Sequence, residues 1–165
     1  MIVGIGNDLV DIRRIEKSLK RFGERFENKI FTHSEIAKAK QKANPKAQAA
    51  TFAKRFAAKE ACAKALGVGL GKISWREIEV ANDELGKPSL KLSGNAALHL
   101  QNLAAGKNNL GAKLPHPNPI PVGEGSYGKA VTGEGIFINE NCRIHLSLSD
   151  EYPYAQAFVV IEASC

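Results

Sequence analysis

Gln48-Ala49-Ala50-Thr51-Phe52-Ala53-Lys54-Arg55-Phe56-Ala57-Ala58-Lys59-Glu60-Ala61-Cys62-Ala63-Lys64-Ala65-Leu66 is the stretch on which the fold turns. It is rich in Ala and Lys, carries Phe and Glu, and holds no Gly or Pro, so it reads as the best helix in the chain. Gly67, Gly69 and Gly71 end it. At about 100° per residue, Phe52, Phe56, Ala63 and Leu66 point one way, into a core. Glu60 and Lys64 fall on the flank of that stripe, one turn apart, together with Ala53 and Ala57. Small residues there let a ligand or another backbone approach the Glu60–Lys64 edge closely.

Upstream, Met1 to Val10 is apolar, β-branched and punctuated by Gly, which predicts a strand running into Asp8. Asp11 to Glu27 is predicted as one amphipathic helix, because Ile12, Ile15, Leu19, Phe22 and Phe26 recur at helical spacing. Arg13, Arg14, Lys17, Lys20, Arg21 and Arg25 fill the rest of its circumference, with Glu16 and Glu24 as local partners. A solvated face is the plain reading of these charges, and an acidic partner is the second. Thr32-His33-Ser34-Glu35 has the form of a capping box ahead of a short helix. Pro45 is expected to stop that helix at Asn44.

Downstream, Ile78-Glu79-Val80 and Leu90-Lys91-Leu92 alternate around the turn-rich Asn82 to Pro88, a hairpin pattern. A short helix is expected from Ala96 to Leu103. Arg143 to Leu148 and Tyr154 to Ile161 form a closing hairpin around Ser149-Asp150-Glu151-Tyr152-Pro153. Between them, from about 106 to 141, lies a Pro- and Gly-rich irregular insertion, with a strand expected at Gly135-Ile136-Phe137-Ile138. A loop this long inside a small domain is usually functional or disordered.

The 165 residues fit one domain, spanning 1–165, and 44% hydrophobic content rules out a disordered chain. A net charge of +6 favours nucleic acid, phosphorylated ligands or an acidic protein, without choosing among them. Cys62, Cys142 and Cys165 are odd in number and show no CxxC spacing, which argues against a disulfide framework or zinc site and for the cytoplasm. The opening residues do not read as a signal peptide, and no apolar stretch is long enough to span a bilayer.

A hard divalent cation prefers carboxylate oxygens, and magnesium often takes only one or two from protein. Asp8 and Glu60 would suffice. The plain alternatives are a capping or turn aspartate at Asp8, and an ordinary Glu60–Lys64 salt bridge contributing about 0.3–0.5 kcal/mol. On spacing alone those alternatives prevail. His145 alternates with Ile144 and Leu146, so it faces away from them and reads as a surface histidine. Gly86-Lys87-Pro88 is compatible with simple turn chemistry. Gly67-Val68-Gly69-Leu70-Gly71 follows a helix and lacks the Lys-Ser/Thr of a P-loop, which excludes that phosphate cradle.

Taken together, the segments resemble the holo-acyl-carrier-protein synthase family, the small trimeric branch of the 4′-phosphopantetheinyl transferases. The matching residues are Gly4-Ile5-Gly6-Asn7-Asp8-Leu9-Val10-Asp11-Ile12 with Arg14-Ile15, Phe31-Thr32 with Glu35, and Ala53-Lys54-Arg55-Phe56-Ala57-Ala58-Lys59-Glu60-Ala61 with Lys64-Ala65-Leu66-Gly67. They continue with Ile78-Glu79-Val80, Asn82-Asp83, Gly86-Lys87-Pro88, His145-Leu146-Ser147-Leu148-Ser149 and Tyr154-Ala155. The order is the family's, and nearly the whole chain outside the insertion is covered.

The resemblance implies an α+β fold, with an antiparallel sheet packed on a long helix and a long loop insertion before the last hairpin. It implies transfer of 4′-phosphopantetheine from coenzyme A to a serine of apo-acyl-carrier protein, in support of fatty acid biosynthesis, in a homotrimer with active sites between subunits. By the same resemblance, Asp8 and Glu60 hold magnesium, Glu60 helps deprotonate the serine, and Lys64 serves the departing adenosine 3′,5′-bisphosphate. Arg55, Lys59, Gly86, Pro88 and His145 match positions lining the coenzyme A site. Arg14, Arg21 and Arg25 match a carrier-docking helix. Family members often have a second histidine where Asp150 stands, at a position that varies. The competing reading is a basic nucleic-acid-binding module, against which stand the lack of a base-stacking aromatic cluster and of a recognised binding motif. On the transferase reading neither nucleic acid nor membrane is a partner.

Overall fold

The structure, a computed structural model, describes residues 1–106 and 142–164. The irregular insertion beyond Gly106, the strand expected at 135–138 and Cys165 lie outside the described residues. Along the chain run β1 (Ile2–Asp11), α1 (Ile12–Phe22), α2 (Glu24–Ile30), α3 (His33–Lys40) and α4 (Pro45–Ala65). They are followed by β2 (Ile78–Asn82), β3 (Pro88–Leu92), α5 (Gly94–Ala104), β4 (Cys142–Glu151) and β5 (Tyr154–Ala163).

α4 begins earlier than its composition suggests, because Asn44 caps it. The Asn44 side chain accepts from Ala47 N at 2.9 Å, and Pro45 takes the first helical position, where no N–H is needed. From Ala57 to Leu66, only Glu60 and Lys64 escape burial. The expected core stripe holds at Phe52, Ala63 and Leu66. Phe56 is half-buried and stacks on Trp75, with ring centroids 4.8 Å apart. The small flank is used by another backbone. A Cβ on Gly6 would strike the carbonyl of Ala61, and one on Gly4 the carbonyl of Ala65. β1 therefore lies against α4 far more closely than side chains would permit.

The sheet order is β1-β5-β4, antiparallel throughout, and β2 and β3 form the separate hairpin read from the sequence. Asp8 stands opposite Ala157 of β5, which in turn stands opposite Leu148 of β4. Strand alternation gives the sheet two unlike faces. Gly6, Val10, Ala155, Ala157, Val159 and Ile161 face α4 and are buried. Ile5, Leu9 and Phe158 lie on the other face, at 57%, 59% and 43% exposure.

One expected element is corrected. Asp11 to Glu27 is not a single helix: Asp11 caps α1, accepting from Arg13 N at 2.9 Å, and the helix breaks at Gly23. There φ is +51°, a left-handed geometry that glycine adopts without steric cost. α2 resumes beyond it, and the apolar stripe continues across the break through Leu19, Phe26 and Ile30. Arg25 accordingly lies on α2, apart from Arg14 and Arg21 on α1. The Thr32–Glu35 capping box forms as expected, with Glu35 N 3.4 Å from Thr32 Oγ1 and Thr32 N donating to Glu35 Oε2 at 2.9 Å. No helix among the described residues is long and apolar enough to cross a membrane.

Candidate active site

The edge where β1 meets α4 unites three of the candidate residues. Asp8 shares the strand face of Gly6, so its carboxylate points toward α4. Lys64 reaches it from the helix, with Nζ 2.8 Å from Asp8 Oδ1 and 2.8 Å from the carbonyl oxygen of Asn7. Glu60 lies one turn before Lys64 and feels the same neighbours. Burial raises its pKa, the negative charge of Asp8 raises it further, and Lys64 acts against both. An i,i+4 salt bridge between Glu60 and Lys64 does not form, because the lysine is committed to β1.

The chemistry of this donor set fits a hard divalent cation. Two carboxylates are close enough for one to disfavour ionisation of the other, and a cation between them reverses that penalty. Among the described residues no cluster of three or more His, Cys, Asp or Glu side chains is placed to hold a metal. A site of two carboxylates, completed by water and phosphate oxygens, is what magnesium ordinarily takes.

Arg55 is buried at 5% exposure, and its guanidinium donates to Thr51 O at 3.4 Å and to Asn82 Oδ1 at 3.3 Å. Among the described residues its Nε has no acceptor. Asn82 Nδ2 donates in turn to Gly86 O at 3.0 Å. The hairpin turn and the long helix are thereby joined through one arginine, bringing Arg55 and Gly86 together. Pro88 opens β3 directly across from Asn82. Asn82 was not singled out as a site residue. Its one sequence signal is an amide residue at the last strand position before a Gly-containing turn.

Lys59, expected to line a coenzyme site, is fully buried. Its side chain is 0% exposed and pairs with Glu35, also 0% exposed, at 2.8 Å. Its remaining protons go to the carbonyls of Trp75, at 3.0 Å, and Ile78. A fully buried ammonium with three protein acceptors is not offered to a ligand; it fastens α4 to α3 and to the start of β2.

His145 is exposed, and its Nε2 sits 2.7 Å from Glu162 Oε2. It lies on the outer face of the sheet, opposite Val160, whereas Asp8 lies on the face toward α4. Within one chain the two do not meet. Asp150 is paired with Lys54 of α4 at 2.6 Å. Arg14, Arg21 and Arg25 are all exposed, and none makes an ion pair among the described residues.

A family model described as the 4′-phosphopantetheinyl transferase superfamily matches residues 4–113. The holo-[acyl-carrier-protein] synthase of Sinorhizobium fredii is 46% identical over 164 residues, covering 99% of this chain and 93% of that one. Among solved structures, the holo-[acyl-carrier-protein] synthase of Neisseria meningitidis is 34% identical, with a TM-score of 0.65 over 98% of this chain and 99% of the other. That of Bacillus anthracis, solved in complex with CoA (3′,5′-ADP), is 32% identical with a TM-score of 0.64 over 99% of each chain. The carboxylate pair, the lysine bound to it and the glycine-thinned contact between β1 and α4 thus sit in a chain that belongs to the 4′-phosphopantetheinyl transferase superfamily, among its holo-[acyl-carrier-protein] synthases.

Proposed function

We propose that this protein transfers 4′-phosphopantetheine from coenzyme A to a serine of an acidic apo-acyl-carrier protein, with a magnesium ion held by Asp8 and Glu60. The observation that carries the reading is the convergence of Asp8, Glu60 and Lys64 at the β1–α4 edge, inside a chain of this family. Asp8 and Glu60 would hold the ion, which when bound would supply charge neutralisation at the phosphate under attack. Phosphoryl-type transfer needs positioning and charge neutralisation more than covalent chemistry, so few protein groups are required. Glu60 would help take the serine proton, directly or through water. Lys64 is the cation available to the departing bisphosphate. The Nε of Arg55, without an acceptor among the described residues, lies beside the Asn82–Gly86 turn and supports a coenzyme A site there, reached also by Pro88. In this reading Lys59 positions that hairpin and touches no ligand.

The basic helices suit an acidic carrier, and Arg14, Arg21 and Arg25 would speed encounter more than they add affinity. Family membership favours this reading over a nucleic-acid-binding one. The test is release of adenosine 3′,5′-bisphosphate from coenzyme A. It is expected only when apo-carrier and magnesium are both present, and release without carrier overturns the assignment.

The assembly belongs to the same proposal. Among the described residues Ile5, Leu9 and Phe158 form an exposed apolar sheet face, which a homotrimer would bury. His145 stands on that face, so in a trimer it would serve the site of a neighbouring subunit. The wild-type protein is expected to sediment with the mass of three chains, and Leu9→Glu with the mass of one. A wild-type mass of one chain removes the trimer and leaves His145 without a site.

A further inference from the structure

Lys64 ties the helix to the strand at the proposed metal edge. Its ammonium donates at 2.8 Å to Asp8 Oδ1 and at 2.8 Å to Asn7 O. Both acceptors belong to β1, while the lysine belongs to α4, so the side chain spans the very edge that the proposed ion would enter. The two partners differ in exposure. The Asp8 side chain is 17% exposed, on a strand paired to β5 along its length. The Lys64 side chain is 51% exposed, and a compact ammonium on a flexible four-carbon stem can be redirected at little cost. Asp8 is the fixed post and Lys64 the movable charge.

A carboxylate oxygen that accepts a charge-assisted bond from an ammonium is not fully available to a metal ion, and two cations sharing one carboxylate repel each other. We propose that Lys64 is the resident counter-ion of the Asp8–Glu60 edge, and that a divalent cation enters by displacing it. Entry of the ion and release of the lysine are then one coupled event. The same side chain guards the carboxylate before the ion arrives and is delivered, once displaced, toward the phosphate groups of the substrate. This rests on the metal reading above and extends it to the order of events. Because coupling is reciprocal, an anion that draws Lys64 away from Asp8 also raises the affinity for the cation. Coenzyme A and the cation should accordingly bind with positive cooperativity, and part of that cooperativity should vanish when the lysine is removed.

The test uses Mn2+ alone as probe, with the full-length protein, following free aqueous Mn2+ by electron paramagnetic resonance. Lys64→Gln should bind Mn2+ at least about fivefold more tightly than wild type, a difference of about 1 kcal/mol. Lys64→Arg keeps the charge and should bind as weakly as wild type. Asp8→Asn should lose the site. Adding coenzyme A should tighten Mn2+ binding more in wild type than in Lys64→Gln. If Lys64→Gln binds no better than wild type while Asp8→Asn abolishes binding, the metal reading stands and the counter-ion proposal falls. Tight binding by Lys64→Arg overturns it too, since charge would not be the cause. If Asp8→Asn binds as wild type does, the metal reading itself fails and the proposal goes with it.

Discussion

Asp8→Asn and Glu60→Gln each lower the rate of phosphopantetheine transfer by about 10³-fold or more, measured as bisphosphate release at saturating magnesium. The size follows from what a metal ion contributes to phosphoryl-type transfer, which is several kcal/mol of charge stabilisation. About 4 kcal/mol corresponds to 10³ in rate. Both changes preserve shape and remove one negative ligand, so the fold should survive them. Glu60→Gln carries a second expectation of opposite sign. Burial and the Asp8 charge raise the Glu60 pKa, so the folded metal-free protein holds that proton more tightly than the unfolded chain does. Stability from this group is therefore full below the ordinary carboxylate range and is lost as pH rises through the raised value. At neutral pH the metal-free wild type carries that penalty, and Glu60→Gln does not. Thermal melting in chelator at pH 7 should show the inactive variant more stable than wild type, with the gap closing on acidification. A Glu60→Gln protein of full activity, or one that melts below wild type in chelator, removes Glu60 from the role given to it.

Much of the fold was legible because the signals were local. The alanine-rich composition of α4, the Thr32–Glu35 box and the alternation of β2, β3, β4 and β5 each depend on residues within a few positions of one another. Gly23 escaped notice for a physical reason. The apolar stripe from Ile12 to Phe26 keeps helical spacing, and a broken pair of helices can bury the same face as a straight one. Spacing cannot report the positive φ that separates them.

The site was legible only in part. Gly4 and Gly6 alternate along β1, and Ala57, Ala61 and Ala65 recur along α4, but their fit is visible only once strand and helix are brought together. Lys59 was assigned to the coenzyme site by resemblance alone, and its pairing with Glu35 was hidden because Glu35 was already accounted for by the capping box. Glu35 does both jobs: one oxygen caps α3 and meets Lys59, the other accepts from Val80 N at 3.0 Å. His145 was correctly read as facing away from Ile144 and Leu146. That this turns it away from Asp8 as well follows from the register across β5, which no single strand contains.

Lys59→Met removes about 3–5 kcal/mol of stability, the usual consequence of stranding one member of a buried ion pair. In a chain of this size that is a fall of roughly 6–20 °C in melting temperature. Methionine matches the stem but leaves the Glu35 carboxylate without its cation, and leaves the carbonyls of Trp75 and Ile78 without a donor. Buried pairs can often be replaced by two apolar residues at little cost. Here the double variant Glu35→Met/Lys59→Met should not recover, because the pair also satisfies four backbone groups: the N–H of Thr32 and Val80, and the two carbonyls. Each buried group left unpaired costs about 1–3 kcal/mol. The damage should also reach the proposed coenzyme site by a defined route. Lys59 and Glu35 fix Ile78 and Val80, and the same strand ends at Asn82, which Arg55 and Gly86 share. With the start of β2 loosened, KM for coenzyme A should rise more than kcat falls, since the Asp8–Glu60–Lys64 edge is held separately by β1. A double variant as stable as wild type would mean that those backbone groups find other partners. An unchanged KM for coenzyme A would mean that the hairpin does not depend on the buried pair for its position.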